Sequence, residues 1–175
     1  IVLDDADLDL AVTLAAEGCF RNSGQRCTAV KRLLIHEAVL EQFTEAFVAK
    51  LAEYPCGDPA DDTTRVGTVI DESAAKLLES RVEKAVASGA RVLAGGNRDG
   101  ALLEPTIIAD VARDAEMVVQ ESFGPLAPIM TVKDIDDAIA LANGTAFGLS
   151  SGVVTRDMDA ALACVKRIRT GSVNI

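Results

Sequence analysis

Cys27 is the residue of this chain best placed to do chemistry. It follows Asn22-Ser23-Gly24-Gln25-Arg26 and precedes Thr28-Ala29, so a thiol lies behind a polar, glycine-containing loop and next to a cation. The thiolate is the nucleophilic form of cysteine, and a neighbouring positive charge favours it. An amphipathic segment runs into this loop and an apolar, β-like run leaves it, an arrangement that would expose a reactive thiolate. The plainer alternative is a small hydrophobe in a loop, since free cysteine is often simply buried. Arg26 has two possible tasks. It can stabilise the thiolate by proximity, or its fork of donors can hold an acidic group of a substrate. An outward ion pair is its mundane alternative.

The other reactive side chains offer less. Cys19 and Cys164 fall on apolar helical stripes and read as core, and Cys56 lies in a Pro/Gly loop with no base in view. No two cysteines form Cys-x-x-Cys, and His36, the only histidine, has no companion at metal-ligand spacing, so no metal site is expected. The Asp58–Asp62 acid cluster reads as a solvated loop. Gly95-Gly96 reads as a plain turn, and no Gly-x-Gly-x-x-Gly follows a strand, so no nucleotide fold is expected within the chain.

Composition narrows the partners. The 175 residues are 49% hydrophobic, enough to bury a core and to exclude disorder. The net charge of −10 argues against nucleic acid, whose phosphates need a basic surface, but leaves room for an anionic small molecule in a local basic pocket. No signal peptide or run long enough to span a bilayer is visible, so no membrane is expected, and dispersed cysteines suit a reducing cytoplasm.

The elements that must position Cys27 follow from periodicity. Ile1–Leu3 reads as a strand end, and Asp4 or Asp5 as the cap of a helix carrying Leu8, Val12, Ala15 and Cys19 inward. Thr28–Ile35 reads as a strand. Val39, Phe43, Phe47 and Leu51 mark an amphipathic helix, and Tyr54–Asp62 a loop. A helix is expected from Asp71 to Ser88, with Leu78, Val82, Ala85 and Val86 inside and Gly89 as its left-handed cap. Arg91–Ala94 is a strand, Gly95–Gly100 a loop, Leu102–Ile108 extended, and Leu126–Val132 an apolar strand. Asp134 begins a helix burying Ile135, Ala138, Ile139 and Ala142. Gly148–Thr155 reads as a strand, and Asp157 begins a last helix burying Ala161, Leu162, Val165 and Ile168 before a final strand. Strands alternating with helices, several of them apolar throughout, predict an α/β fold: a mostly parallel sheet flanked by helices on both faces. Residues 1–175 form one domain, and both ends read as cut, which predicts a piece of a longer protein.

Three separated motifs converge: Asn22-Ser23-Gly24-Gln25-Arg26-Cys27-Thr28-Ala29, Gln120-Glu121-Ser122-Phe123-Gly124-Pro125, and Asn143-Gly144-Thr145-Ala146-Phe147-Gly148-Leu149-Ser150-Ser151-Gly152, with Gly171-Ser172-Val173-Asn174 behind them. In this order they resemble the catalytic domain of the NAD(P)-dependent aldehyde dehydrogenase superfamily, over essentially the whole chain. The resemblance implies Cys27 as the catalytic nucleophile on an aldehyde substrate. It implies Glu121 and Phe123 as cofactor-binding residues, at the ribose hydroxyls and the nicotinamide end of NAD or NADP. It also implies that the cofactor-binding domain, the general base, the asparagine of the oxyanion hole and a C-terminal oligomerisation segment lie outside this chain. The full-length protein would be a homodimer or homotetramer, and residues 1–175 alone would be inactive. Arg-Cys-Thr-Ala followed by Val30-Lys31-Arg32 resembles the branch handling small anionic aldehydes, phosphonoacetaldehyde most of all, with Arg26 and Thr28 as substrate-binding residues. Glyceraldehyde-3-phosphate or lactaldehyde oxidation, a coenzyme A-acylating enzyme and a noncatalytic protein reusing the fold are the alternatives.

Overall fold

Four strands carry the centre of the fold, and their apolar residues alternate between two faces. The computed structural model describes residues 1–175. Strands β1 (Leu33–His36), β2 (Arg91–Ala94), β5 (Thr106–Ala109) and β6 (Leu126–Val132) pair in the order β1-β6-β5-β2. The β1–β6 and β5–β6 pairings are parallel and β2–β5 is antiparallel. Successive side chains of a strand point to opposite faces. Leu33, Ile35, Ile107, Ala127 and Ile129 therefore meet helices α1 (Leu8–Phe20) and α2 (Leu40–Lys50). Leu34, Ile108, Leu126, Met130 and Val132 meet α3 (Glu72–Ala87), α4 (Glu116–Val119) and α5 (Ile135–Ala142). The expected α/β architecture, with a mostly parallel sheet covered on both faces, is what forms.

Two short ladders complete the chain. β3 (Arg98–Asp99), inside the stretch expected to be a loop, forms a small hairpin with β4 (Leu102–Leu103), at the start of the stretch expected to be extended. β7 (Ser150–Gly152) and β8 (Ser172–Asn174) pair in parallel beside α6 (Met158–Arg167), over a cluster of Ile139, Val153, Cys164 and Ile168. Val2 joins this ladder to the main sheet by bridging Ile35 on one side and Val154 on the other. No helix is long and apolar enough to cross a membrane.

Capping explains where several elements begin. Asp71, Asp134 and Asp157 cap α3, α5 and α6 as expected, each accepting from main-chain N–H groups of the first turn. The first helix departs from expectation. Its cap is Asp7, because the Asp5 carboxylate is taken by Thr155 Oγ1 at 2.8 Å and Arg156 N at 2.8 Å. The strand expected from Thr28 starts only at Leu33, where β6 becomes available to pair, and that expected over Gly148–Thr155 shrinks to Ser150–Gly152. Val86, Leu162 and Val165, expected inside, face outward. The C-terminal end of α1, which leads to Cys27, is held by aromatic packing. Phe20 stacks on Phe47 at 5.8 Å and takes Tyr54 edge-on, while the Tyr54 hydroxyl donates to Glu17 Oε1 at 2.8 Å.

Candidate active site

After Phe20 the chain turns through three consecutive left-handed residues: Asn22 (φ 56°), Ser23 (φ 54°) and Gly24 (φ 68°). For non-glycine residues that conformation costs roughly 1–2 kcal/mol each, so surrounding contacts must hold it. Ser23 Oγ donates to Gly67 O at 2.9 Å, Gln25 Nε2 to Thr68 O at 3.3 Å, and Asn22 Nδ2 to Gln25 O at 3.2 Å. A turn closes over Cys27 through Ala29 N donating to Arg26 O, and Val30 N donates back to Gly18 O in α1, both at 3.0 Å.

That turn leaves Cys27 exposed, whereas Cys19 and Cys164 are buried and Cys56 is half-buried. Burial pushes the Cys19 thiol up to about 12 and raises those of Cys56 and Cys164. Neither the main-chain N–H of Cys27 nor that of Thr28 donates to a protein acceptor. An accessible sulfur with a free N–H beside it can both attack a carbonyl carbon and hydrogen-bond the oxygen that becomes charged.

The Glu121–Pro125 loop faces the nucleophile loop. Gly24 packs against the main chain of Gly124, so closely that a Cβ on Gly24 would lie 2.2 Å from Gly124 O. From the other side, buried Arg81 in α3 donates to Glu121 O at 2.6 Å and Ser122 Oγ at 3.3 Å, and pairs with Glu116 at 3.1 Å. Phe123 is itself left-handed (φ 52°), which turns its ring outward, 44% exposed. The Glu121 carboxylate meets Lys31 Nζ at 3.3 Å. Lys31 also donates to Gly24 O at 3.2 Å and lies over the Phe123 ring, 4.7 Å from its centroid. Burial lowers the Lys31 ammonium below the ordinary lysine range, an effect that Glu121 opposes.

Cys27, Thr28, Lys31 and Glu121 line one cleft of about 620 Å³ with Thr145 and Phe147. Glu121 is the only carboxylate side chain in its wall. Thr145 Oγ1 is a buried hydroxyl with no hydrogen-bond partner. Arg26 points elsewhere. Its Nη2 donates to Glu17 O at 2.9 Å and Gly18 O at 3.1 Å, and its Nε to Arg21 O at 3.3 Å, so the guanidinium caps the C-terminal end of α1. Arg32 does the same for α5 through Leu141 O and Ala142 O, both at 2.8 Å. Neither Lys31, which entered only within the run Val30-Lys31-Arg32, nor Arg81 was expected at the site. For Lys31 a signal was available: a cation four residues past the nucleophile, in a stretch otherwise turning apolar.

Glu121 lines the cleft, and Phe123, two residues on, turns its ring outward beside it. A half-exposed carboxylate can accept from sugar hydroxyls, and an outward aromatic ring offers a flat apolar face. The cleft contains no glycine-rich phosphate loop.

The whole chain, residues 1–175, matches the family model described as "Aldehyde dehydrogenase family". It is 40% identical to the succinate-semialdehyde dehydrogenase [NADP(+)] of Deinococcus radiodurans, over 99% of this chain and 37% of that protein. It is 38% identical to the sulfoacetaldehyde dehydrogenase of Neptuniibacter caesariensis, over 99% of this chain and 38% of that one. Among solved structures it superimposes on glyceraldehyde-3-phosphate dehydrogenase GapN from Methanocaldococcus jannaschii, complexed with NADP, with a TM-score of 0.95 and 38% identity, over 99% of this chain and 38% of that chain. The chain thus spans somewhat over a third of the length of these relatives. Matched by the family model from its first residue to its last, this chain belongs to the aldehyde dehydrogenase family.

Proposed function

We propose that these residues are the nucleophile-bearing part of an NAD(P)-dependent aldehyde dehydrogenase. The observation that carries this reading is the exposure of Cys27, alone among the four cysteines, in the cleft that Glu121 also lines. The Cys27 thiolate attacks the aldehyde carbon. A carbon–sulfur bond forms, the carbonyl π pair moves to oxygen, and the Cys27 N–H hydrogen-bonds the resulting oxyanion. Such a donor contributes roughly 2.7–4 kcal/mol to the transition state. Glu121 would hold the nicotinamide ribose and Phe123 would pack at the nicotinamide end, and the cofactor held there would accept the hydrogen together with both electrons of the substrate C–H bond that breaks as the oxyanion re-forms its carbonyl. The acyl group left on sulfur is a thioester. Attack by water releases the carboxylic acid and returns Cys27 as thiolate. The family resemblance implies that the base that activates this water, like most of the cofactor site, lies outside residues 1–175, which span 37–38% of the relatives described.

The proposed substrate is a small anionic aldehyde of the phosphonoacetaldehyde type. Support comes from the two relatives described, each named for an aldehyde bearing an acidic group. Steady-state oxidation of phosphonoacetaldehyde, sulfoacetaldehyde, succinate semialdehyde, glyceraldehyde-3-phosphate, lactaldehyde and a neutral aldehyde by the full-length protein tests it. The anionic aldehydes should give the higher kcat/KM. A neutral aldehyde at the top of the series would overturn the substrate class, and no NAD(P)H from any aldehyde would overturn the reaction.

A further inference from the structure

Lys31 connects two loops that sequence keeps far apart, the one bearing Gly24 and the one bearing Glu121 and Phe123. Its ammonium donates to Gly24 O in the nucleophile loop, pairs with the Glu121 carboxylate and covers the Phe123 ring, at 3.2, 3.3 and 4.7 Å. The Lys31 side chain is only 26% exposed, against 42% for Glu121, so the pair is partly withdrawn from water. Arg81 anchors this loop by its main chain and by Ser122, and leaves the direction of the Glu121 carboxylate open. Lys31 is the only cation in contact with that carboxylate.

We propose that Lys31 is a positioning residue, which aims Glu121 and Phe123 at the cofactor and fixes them to the loop that carries Cys27. The inference rests on the reading of Glu121 as the ribose-binding carboxylate. An ammonium has three donors and no acceptor. One donor goes to Gly24 and one to Glu121, so the carboxylate keeps a second oxygen for sugar hydroxyls. The cation also sits against the negative face of the Phe123 ring, which fixes the ring beside the carboxylate. Without Lys31 both side chains are free to sample other rotamers, and cofactor binding must order them. Lys31 touches no reacting atom, so its loss acts on cofactor binding and spares the nucleophilicity of Cys27.

The test uses the full-length protein and the substitutions Lys31→Met, Lys31→Arg, Glu121→Gln and the double variant Lys31→Met/Glu121→Gln. Lys31→Met should raise the cofactor KM about ten-fold, the loss being that of one charged hydrogen-bonded contact, and should leave within about two-fold both the aldehyde KM and the rate at which iodoacetamide alkylates Cys27 without cofactor, because Ser23 and Gln25 still hold the nucleophile loop. Lys31→Arg should recover most of the cofactor affinity. In the double variant the effects on cofactor KM, and on Tm without cofactor, should be less than additive. An unchanged cofactor KM in Lys31→Met, failure of Lys31→Arg to recover, or additive Tm effects would each overturn the proposal. If Glu121→Gln alone leaves the cofactor KM unchanged, the ribose assignment fails and this proposal fails with it. If the unsubstituted protein makes no NAD(P)H, the reaction assignment fails, while the cofactor-free Tm cycle still decides whether Lys31 and Glu121 are coupled.

Discussion

Gly24 and Gly124 meet main chain to main chain, and this contact joins the loop that carries Cys27 to the loop that carries Glu121. A Cβ at Gly24 would stand 2.2 Å from Gly124 O and 2.9 Å from Cys19 O, and the residue already has φ 68°. None of those neighbours is a flexible side chain that could give way. Gly24→Ala therefore combines left-handed strain with overpacking, and should cost about 2–4 kcal/mol. Urea unfolding measures the loss, and alkylation of Cys27 should slow or quicken with it because the loop must move. A stability within about 0.5 kcal/mol of the parent would show that the two loops are not locked.

Arg26 was expected to hold an acidic substrate, and its donors instead satisfy carbonyls at the end of α1. Glu17 O already accepts from Arg21 N and Gly18 O from Val30 N, so Arg26 adds a second donor to each, and a cation suits the negative end of the dipole. Arg26→Ala should destabilise the protein by about 1–2 kcal/mol. In the full-length enzyme it should raise KM for anionic and neutral aldehydes alike, through displacement of Cys27. A rise confined to anionic aldehydes would return the clamp role to Arg26.

What was legible in the sequence was local. The Asp71 cap, the Leu78 and Val82 stripe and Gly89 at φ 105° place α3 almost to the residue, and the apolar run Leu126–Val132 is β6 as read. Local signals failed where a distant partner decides. Asp5 does not cap α1 because Thr155 and Arg156, near the other end of the chain, claim it. Val86 and Val165 have helical spacing, but only the neighbouring elements fix where a buried stripe ends. Helix α4, of four residues, is too short to show a period. In the site, Cys27, Glu121 and Phe123 could be named from motifs. The contacts of Arg26 could not, because they require the left-handed turn at Asn22–Gly24 to fold the side chain back along α1.

Asp137 ties α5 to the segment before α4. Arg113 donates to both its oxygens, at 2.6 and 2.7 Å, and this holds the carboxyl down to about 2. A carboxyl lowered in the folded state adds stability above its unfolded value, near ~3.9, and loses it as the pH falls toward the folded value. The protein should therefore lose this contribution between about pH 4 and pH 2. The Arg113 side chain is half exposed, so solvent limits the effect to about 1 kcal/mol or less. Asp137→Asn should flatten the acid limb of a plot of Tm against pH and leave the neutral region lower by a small amount. An acid limb unchanged by the substitution would place the titration elsewhere.

Cys27 should be the only cysteine that reacts quickly. The thiols of Cys19 and Cys164 are buried, and that of Cys56 is half-buried with its Sγ donating to Leu103 O at 3.7 Å. Burial raises all three above the ordinary thiol value, and reactivity needs both access and the thiolate. A short exposure to iodoacetamide at neutral pH should add one carbamidomethyl group, which peptide mapping would place on Cys27. Cys27→Ser should take up none on the same timescale and should abolish aldehyde oxidation in the full-length enzyme. A serine hydroxyl is far less acidic than a thiol, and its ester is a less reactive acyl donor than a thioester. Near-normal turnover in Cys27→Ser would remove Cys27 as the nucleophile, and rapid labelling of Cys56 would show that its loop opens in solution.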